Sequence, residues 1–125
     1  MIYGIGNDII EIERIEKAIS KNNFKEKVFT EKERDNILSR GNRVESYAGI
    51  FSAKEAISKA SGEGVRNFSL LDIEILNDEK GKPYVALSKK LDELIKNKFG
   101  EYRIEISISH SKTFATAIAI IFKIS

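Results

Sequence analysis

Cysteine is absent from this chain, which excludes disulfides and thiolate chemistry. No long apolar run occurs, so no membrane-spanning helix is expected. Met1 leads straight into a strand-like segment, so no secretory signal is read and a cytoplasmic protein is expected. A large excess of charge is missing too, the formal net charge being +2. The aromatic residues are not interleaved with basic ones in a base-stacking platform. Together these two facts weigh against nucleic acid as the partner. There is one proline, Pro83, and one histidine, His110. No repeat, linker or low-complexity tract breaks the chain. Its 125 residues are 42% hydrophobic and 32% charged, the composition of a globular protein with one core. We read residues 1–125 as one domain.

The charge is uneven. Residues 14–43 hold nine Lys or Arg against five Asp or Glu, and the remainder holds twelve against fourteen. Such a basic segment is either a solvated helical surface or a place for an acidic partner or phosphate.

Residues 1–10 read as a strand. With a period of two, Tyr3, Ile5, Asn7 and Ile9 face one way, and Ile2, Gly4, Gly6, Asp8 and Ile10 face the other. Glycine in a strand marks close approach by another backbone or a ligand, so Asp8 shares its face with two missing side chains. The plainer role for Asp8 is a cap on the next helix, with Glu11 three residues on. Residues 11–20 form an amphipathic helix with Ile12, Ile15 and Ile19 as its apolar stripe. Arg14, Lys17 and Lys21 make a second stripe. Phe24, Val28 and Phe29 follow in a lysine-rich turn. Thr30 opens a helix to about Leu38, with Glu33 closing a capping box. Arg40-Gly41-Asn42-Arg43 links it onward.

The longest helix is expected over residues 43–60, with Asn42 as its cap and Glu45 three residues on. Ser61-Gly62 supplies a glycine stop. Ala48, Ser52, Glu55 and Lys59 share one side of this helix. Tyr47, Ile50, Phe51, Lys54 and Ile57 cover a neighbouring arc that can bury. A helix with an acid on its small-residue side can lie close to another backbone and present a carboxylate there. The plainer reading of Glu55 and Lys59 is an exposed i,i+4 pair worth about 0.3 kcal/mol. The loop Glu63-Gly64-Val65-Arg66-Asn67 is either a plain connection or an anion holder through backbone N–H groups and Arg66.

Residues 71–76 and 83–87 form a hairpin around residues 77–82, with Pro83 at a strand start. Ser88 caps a helix to Phe99, and Gly100 ends it. Residues 102–109 alternate, with Ile104, Ile106 and Ile108 on one face. After a loop from His110 to Thr113, residues 114–124 are almost wholly apolar. They predict a buried strand antiparallel to the preceding one. The order predicts an α+β fold, one domain with a mainly antiparallel sheet and helices packed on one face.

Three segments then stand together: Gly4-Ile5-Gly6-Asn7-Asp8-Ile9, Phe51-Ser52-Ala53-Lys54-Glu55-Ala56 with Lys59, and Ser107-Ile108-Ser109-His110-Ser111. In this order and at these separations they resemble the 4′-phosphopantetheinyl transferases, specifically the short single-domain holo-acyl-carrier-protein synthases. The resemblance covers essentially the whole length, including Gly62-Glu63-Gly64 and Gly81-Lys82-Pro83. It implies transfer of 4′-phosphopantetheine from coenzyme A to a serine hydroxyl of acyl carrier protein, with release of adenosine 3′,5′-bisphosphate. It implies metal ligands at Asp8 and Glu55, the family's lysine at Lys59, and its histidine at His110, beside the nucleotide end of coenzyme A. Gly62, Gly64, Lys82 and Pro83 are further candidates for adenine or phosphate contact. Asn7 stands where relatives more often carry an apolar residue, and pleating turns it away from Asp8. Asn22-Asn23 stand where relatives often carry an arginine.

Attack on a pyrophosphate requires its charge to be neutralised. A hard cation held by few carboxylates and by substrate phosphates describes Mg²⁺. On this reading Asp8, Glu55 and Lys59 form the catalytic group. Glu55, directly or through a bound water, is the first choice to take the serine proton. Acyl carrier proteins are strongly acidic, so Arg14, Lys17 and Lys21, with Phe24 as an apolar anchor, are the expected docking surface. The resemblance also implies a place in fatty acid biosynthesis and a homotrimer with shared sites; no nucleic acid and no membrane partner is expected. Two rivals use the same residues differently. One is a metal-dependent phosphoesterase with no protein acceptor; the other is a non-catalytic nucleic-acid-binding domain using the basic stretch.

Overall fold

The computed structural model describes residues 1–21, 23–62 and 67–124. Its elements are β1 (Ile2–Glu11), α1 (Ile12–Ile19), α2 (Phe24–Val28), α3 (Glu31–Ser39), α4 (Val44–Ser61), a 3₁₀ turn (Leu70–Asp72), β2 (Ile73–Asn77), β3 (Pro83–Leu87), α5 (Lys89–Phe99), β4 (Tyr102–His110) and β5 (Phe114–Lys123). β1, β5 and β4 form a three-stranded antiparallel sheet in that order, and β2 and β3 form a separate antiparallel hairpin. The register sets Asp8 opposite Ala117 and His110 opposite Ala115. Ala115, Ala117, Ala119 and Ile121 of β5 are buried in one core with Ala53, Ala56, Ile57 and Ala60 of α4. The fold is α+β with antiparallel sheets, as the element order predicts.

Side-chain size sets how closely α4 meets the sheet. The helix turns Ala56 and Ala60 toward β1, and β1 answers with its two glycines. A Cβ on Gly6 would stand 2.0 Å from the carbonyl oxygen of Ala56, and one on Gly4 would stand 1.9 Å from that of Ala60. Strand and helix are therefore in backbone contact, the close approach that the Gly4–Gly6 face foretold.

Several local expectations hold. Thr30 and Glu33 form both halves of the capping box on α3. Ser88 accepts from Leu91 N at 3.2 Å. Gly62 ends α4 with a left-handed φ of 75°. Lys54, on the arc that can bury, is fully buried, and its ammonium meets Glu33 at 2.6 Å. Burial pushes Glu33 up and Lys54 down, while their mutual attraction opposes both shifts.

Others need correction. Asp8 is a strand residue and not a helix cap, because β1 continues to Glu11, which takes the cap position of α1 with no side-chain bond. Asn42 has a φ of 52°, whereas a capping residue needs extended backbone; Arg43 takes the cap position instead, with no side-chain bond. Glu45 is then available to Arg43, which it meets at 3.0 Å. The lysine-rich stretch expected as a turn contains the short helix α2. Leu71 lies in the 3₁₀ turn, and β2 starts at Ile73. β5 is buried on one face only: Phe114 and Ile118 are 41% and 42% exposed.

Candidate active site

The seam between β1 and α4 gathers an acid from each element. Ser52, fully buried, donates from Oγ to both Asp8 Oδ2 and the Asp8 carbonyl, each at 3.2 Å. Lys59, two turns further along the helix, donates from Nζ to Asp8 Oδ1 at 3.2 Å and to the Asn7 carbonyl at 3.0 Å. The Asp8 carboxylate is thus held at both oxygens by one helix. Glu55 lies between Ser52 and Lys59 on the same side of α4. Its carboxyl is held above the ordinary carboxylate range, first by burial and then by the charge of Asp8, with Lys59 offsetting part of the push. The two acids are therefore close enough to repel, and Lys59 is anchored across to β1 and not confined to an exposed pair on its own helix.

Two like-charged carboxylates in a partly buried seam favour a cation between them. Among the described residues no group of three or more His, Cys, Asp or Glu could hold a metal ion. The protein thus offers Asp8 and Glu55, and the rest of a coordination shell would come from water and substrate oxygens. That donor set, hard and sparse, fits Mg²⁺ better than zinc or calcium.

A second feature lies where β4 ends at His110. A groove of about 240 Å³ is lined by Asn36, Arg40, Arg43, Glu45, Ser46, Gly49, Gly81, Pro83 and His110, among others. Three separate segments meet here: the stretch from the end of α3 through the first half of α4, the β2–β3 turn with its flanking residues, and the end of β4. His110 Nδ1 lies 3.2 Å from the Ser111 carbonyl. Pro83 and His110, both picked from sequence, share this groove. Lys82 does not line it; its ammonium faces Glu105 at 3.7 Å. Gly62 caps α4 on the Lys59 side of the seam, while Gly64 and the proposed anion holder Arg66 lie outside the described residues.

The basic stripe is on the surface. Arg14, Lys17 and Lys21 are exposed, and Lys17 pairs only loosely with Glu13, at 3.2 Å and with both side chains at least 70% exposed. Phe24 is half-buried, its ring 6.3 Å from that of Phe29 and 6.4 Å from that of Phe51. Sequence reading gave no role to Ser52, Arg40 or Arg43. The two arginines flank Gly41-Asn42 directly before the central helix, within the basic segment, and that was the available signal.

A family model described as the 4′-phosphopantetheinyl transferase superfamily matches residues 4–119. A holo-[acyl-carrier-protein] synthase from Fusobacterium nucleatum is 71% identical over 121 residues, covering 97% of this chain and 99% of that one. The crystal structure of holo-[acyl-carrier-protein] synthase from Neisseria meningitidis superposes with a TM-score of 0.90 at 32% identity, covering 98% of this chain and 100% of that one. A holo-(acyl-carrier-protein) synthase from Bacillus anthracis, solved in complex with CoA (3′,5′-ADP), gives a TM-score of 0.80 at 42% identity, with 98% of each chain covered.

Proposed function

We infer that this chain, which belongs to the 4′-phosphopantetheinyl transferase superfamily, does its chemistry in the seam between β1 and α4. It is an enzyme that transfers 4′-phosphopantetheine from coenzyme A to a serine of acyl carrier protein and releases adenosine 3′,5′-bisphosphate. The observation that supports this seam is the Asp8 carboxylate, gripped by Ser52 and Lys59 beside a Glu55 whose pKa is raised.

The serine oxygen attacks the phosphorus that carries the pantetheine arm. The bond from that phosphorus to adenosine 3′,5′-bisphosphate breaks, and the serine proton must go to a base. Glu55 suits that role because burial and the Asp8 charge raise its pKa toward the operating pH. Asp8 and Glu55 would hold Mg²⁺, which when bound neutralises charge on the transferring phosphoryl group. Lys59, fixed by Asp8 and the Asn7 carbonyl, offers its ammonium to the same phosphate oxygens. In the groove, His110, Arg40 and Arg43 take the phosphate of the nucleotide end, and Pro83 forms a wall beside the adenine. The acidic carrier docks on Arg14, Lys17, Lys21 and Phe24.

The outward face of the sheet carries exposed Ile5 (58%), Ile9 (62%) and Ile118 (42%), aligned on β1 and β5. An uncovered apolar face of this kind supports self-assembly, and a homotrimer is the reading we favour. No described helix is long and apolar enough to cross a membrane. Cytoplasmic residence and service to fatty acid biosynthesis complete the proposal.

Intact-mass measurement of an apo-carrier after incubation with coenzyme A and Mg²⁺ tests the reading. Wild type should add one phosphopantetheine to the carrier serine. Asp8→Ala should add none while keeping the wild-type far-UV spectrum. Cleavage of coenzyme A with no mass gain on the carrier would instead make this a phosphoesterase.

A further inference from the structure

Lys54 is a buried charge that the reaction above does not use. Its side chain and that of Glu33 are both fully buried. A lysine ammonium has three N–H donors, and each has an acceptor here: Val28 O at 2.6 Å, Glu33 Oε1 at 2.6 Å and Leu70 O at 3.0 Å. Glu33 is equally occupied. Its Oε1 also accepts from Thr30 N at 2.8 Å, and its Oε2 accepts from Ile75 N at 2.8 Å. One pair of charges thus ties α4 to the end of α2, the start of α3, the 3₁₀ turn and β2.

These ties sit beside the functional parts. Val28 ends the helix that Phe24 begins, and that helix follows the stripe of Arg14, Lys17 and Lys21. Lys54 itself directly precedes Glu55 on α4. A buried ion pair is a poor source of net stability, because an apolar pair of similar volume often does as well or better. What an apolar pair lacks is direction. Three short bonds from one ammonium to fixed oxygens set both a distance and an orientation.

We propose that Lys54, held by Glu33, is a positioning residue that fixes the α2 docking arm against α4 and so sets how the carrier serine approaches Glu55. This rests on the docking surface proposed above. It adds a residue that touches neither substrate and acts on only one of them. The groove proposed for coenzyme A also draws on α3 and α4, through Asn36, Glu45, Ser46 and Gly49, but none of the three residues that Lys54 bonds lines it.

The test is steady-state transfer with carrier and coenzyme A varied separately. The double variant Glu33→Leu/Lys54→Met keeps the core filled and removes both charges. It should fold, keep its coenzyme A KM within about twofold of wild type, and lose at least about tenfold in carrier kcat/KM. Double-variant parameters for both substrates within twofold of wild type overturn the proposal, as does a parallel loss for both in step with unfolded fraction. If the double variant does not fold, native-state hydrogen exchange on the wild type decides. Amides of α2 and of the first turn of α3 should open together with α4, and independent, easier opening of α2 overturns the proposal. Arg14→Glu/Lys21→Glu separates the two claims. If that variant keeps the wild-type carrier KM, the docking surface is wrong. If it loses carrier affinity and the Glu33/Lys54 double variant does not, the positioning role is wrong.

Discussion

Replacing Gly6 by alanine should separate catalysis from folding in this chain. The new Cβ would stand 2.0 Å from the Ala56 carbonyl oxygen and 2.7 Å from Ala60 N, where ordinary contact begins at 3.4 Å. Both obstacles are helix backbone, so neither can swing aside. The strand must lift by the difference, about 1.4 Å, or α4 must yield by as much. Overpacking of this kind costs about 1–3 kcal/mol, against a total stability of about 5–15 kcal/mol for a domain of this size. Most molecules therefore stay folded. The active seam does not escape, because Asp8 is two residues along the same strand and is held to α4 by bonds of 3.2 Å. A misplacement of about 1 Å at a reacting centre costs on the order of 10²-fold in rate. Urea unfolding should show the modest stability loss, and transfer per folded molecule should fall about a hundredfold. Gly100→Ala is the control. Its φ of 96° makes alanine strained there, by about 1–3 kcal/mol, yet the nearest atom a Cβ would meet is Tyr3 Oη at an ordinary 3.9 Å, with no helix backbone in reach. That variant should lose comparable stability and keep wild-type turnover per folded molecule. If Gly6→Ala also keeps wild-type turnover, backbone contact between β1 and α4 does not set the Asp8–Glu55 geometry.

The raised pKa of Glu55 gives a prediction of definite sign. Its protonated form is favoured by the fold, so its contribution to stability is present below the unfolded value of 4.5 and lost as pH rises through the folded value. Glu55→Gln should therefore raise the thermal midpoint at about pH 7, leave it little changed at about pH 3.5, and cut transfer by roughly 10²-fold or more; a lower midpoint at neutral pH would refute the repulsive seam. Arg14→Glu/Lys21→Glu should raise carrier KM by roughly tenfold at low salt and flatten its salt dependence. If turnover at low carrier concentration is unchanged across salt, the stripe does not dock the carrier. Ser88→Ala loses one helix cap, about 1 kcal/mol. Thr30→Ala should cost about 1 kcal/mol more, because Thr30 Oγ1 also donates to Glu74 at 2.6 Å; equal losses in urea would show that this bond contributes nothing net.

Much of the architecture was legible because its causes are local. The alternation of Ile104, Ile106 and Ile108, the Thr30–Glu33 box and the Gly62 stop need only neighbouring residues. Gly4 and Gly6 were legible for a different reason: two side chains missing from one face of a strand require something to lie there. The misreadings came where two local rules compete. Asn42 suits a cap by residue type, but it also tolerates left-handed backbone, and the turn after Gly41 uses that second property. Phe114 and Ile118 are apolar without being buried, so β5 looked buried on both faces. The groove escaped notice because its parts come from three segments far apart in sequence. Lys54 showed that it could bury, but the acid that permits burial lies on another helix.

Among the described strands β1 is laddered only to β5, an element from the opposite end of the chain. Through most of its synthesis the nascent polypeptide owns both acids and the complete central helix, yet it lacks the strand with which β1 pairs. Pairing so remote in sequence is slow to form and leaves apolar strand surface bare in the interval. Catalytic competence is thus acquired late, when the final strand docks, and the appearance of transfer activity on refolding would time that last event.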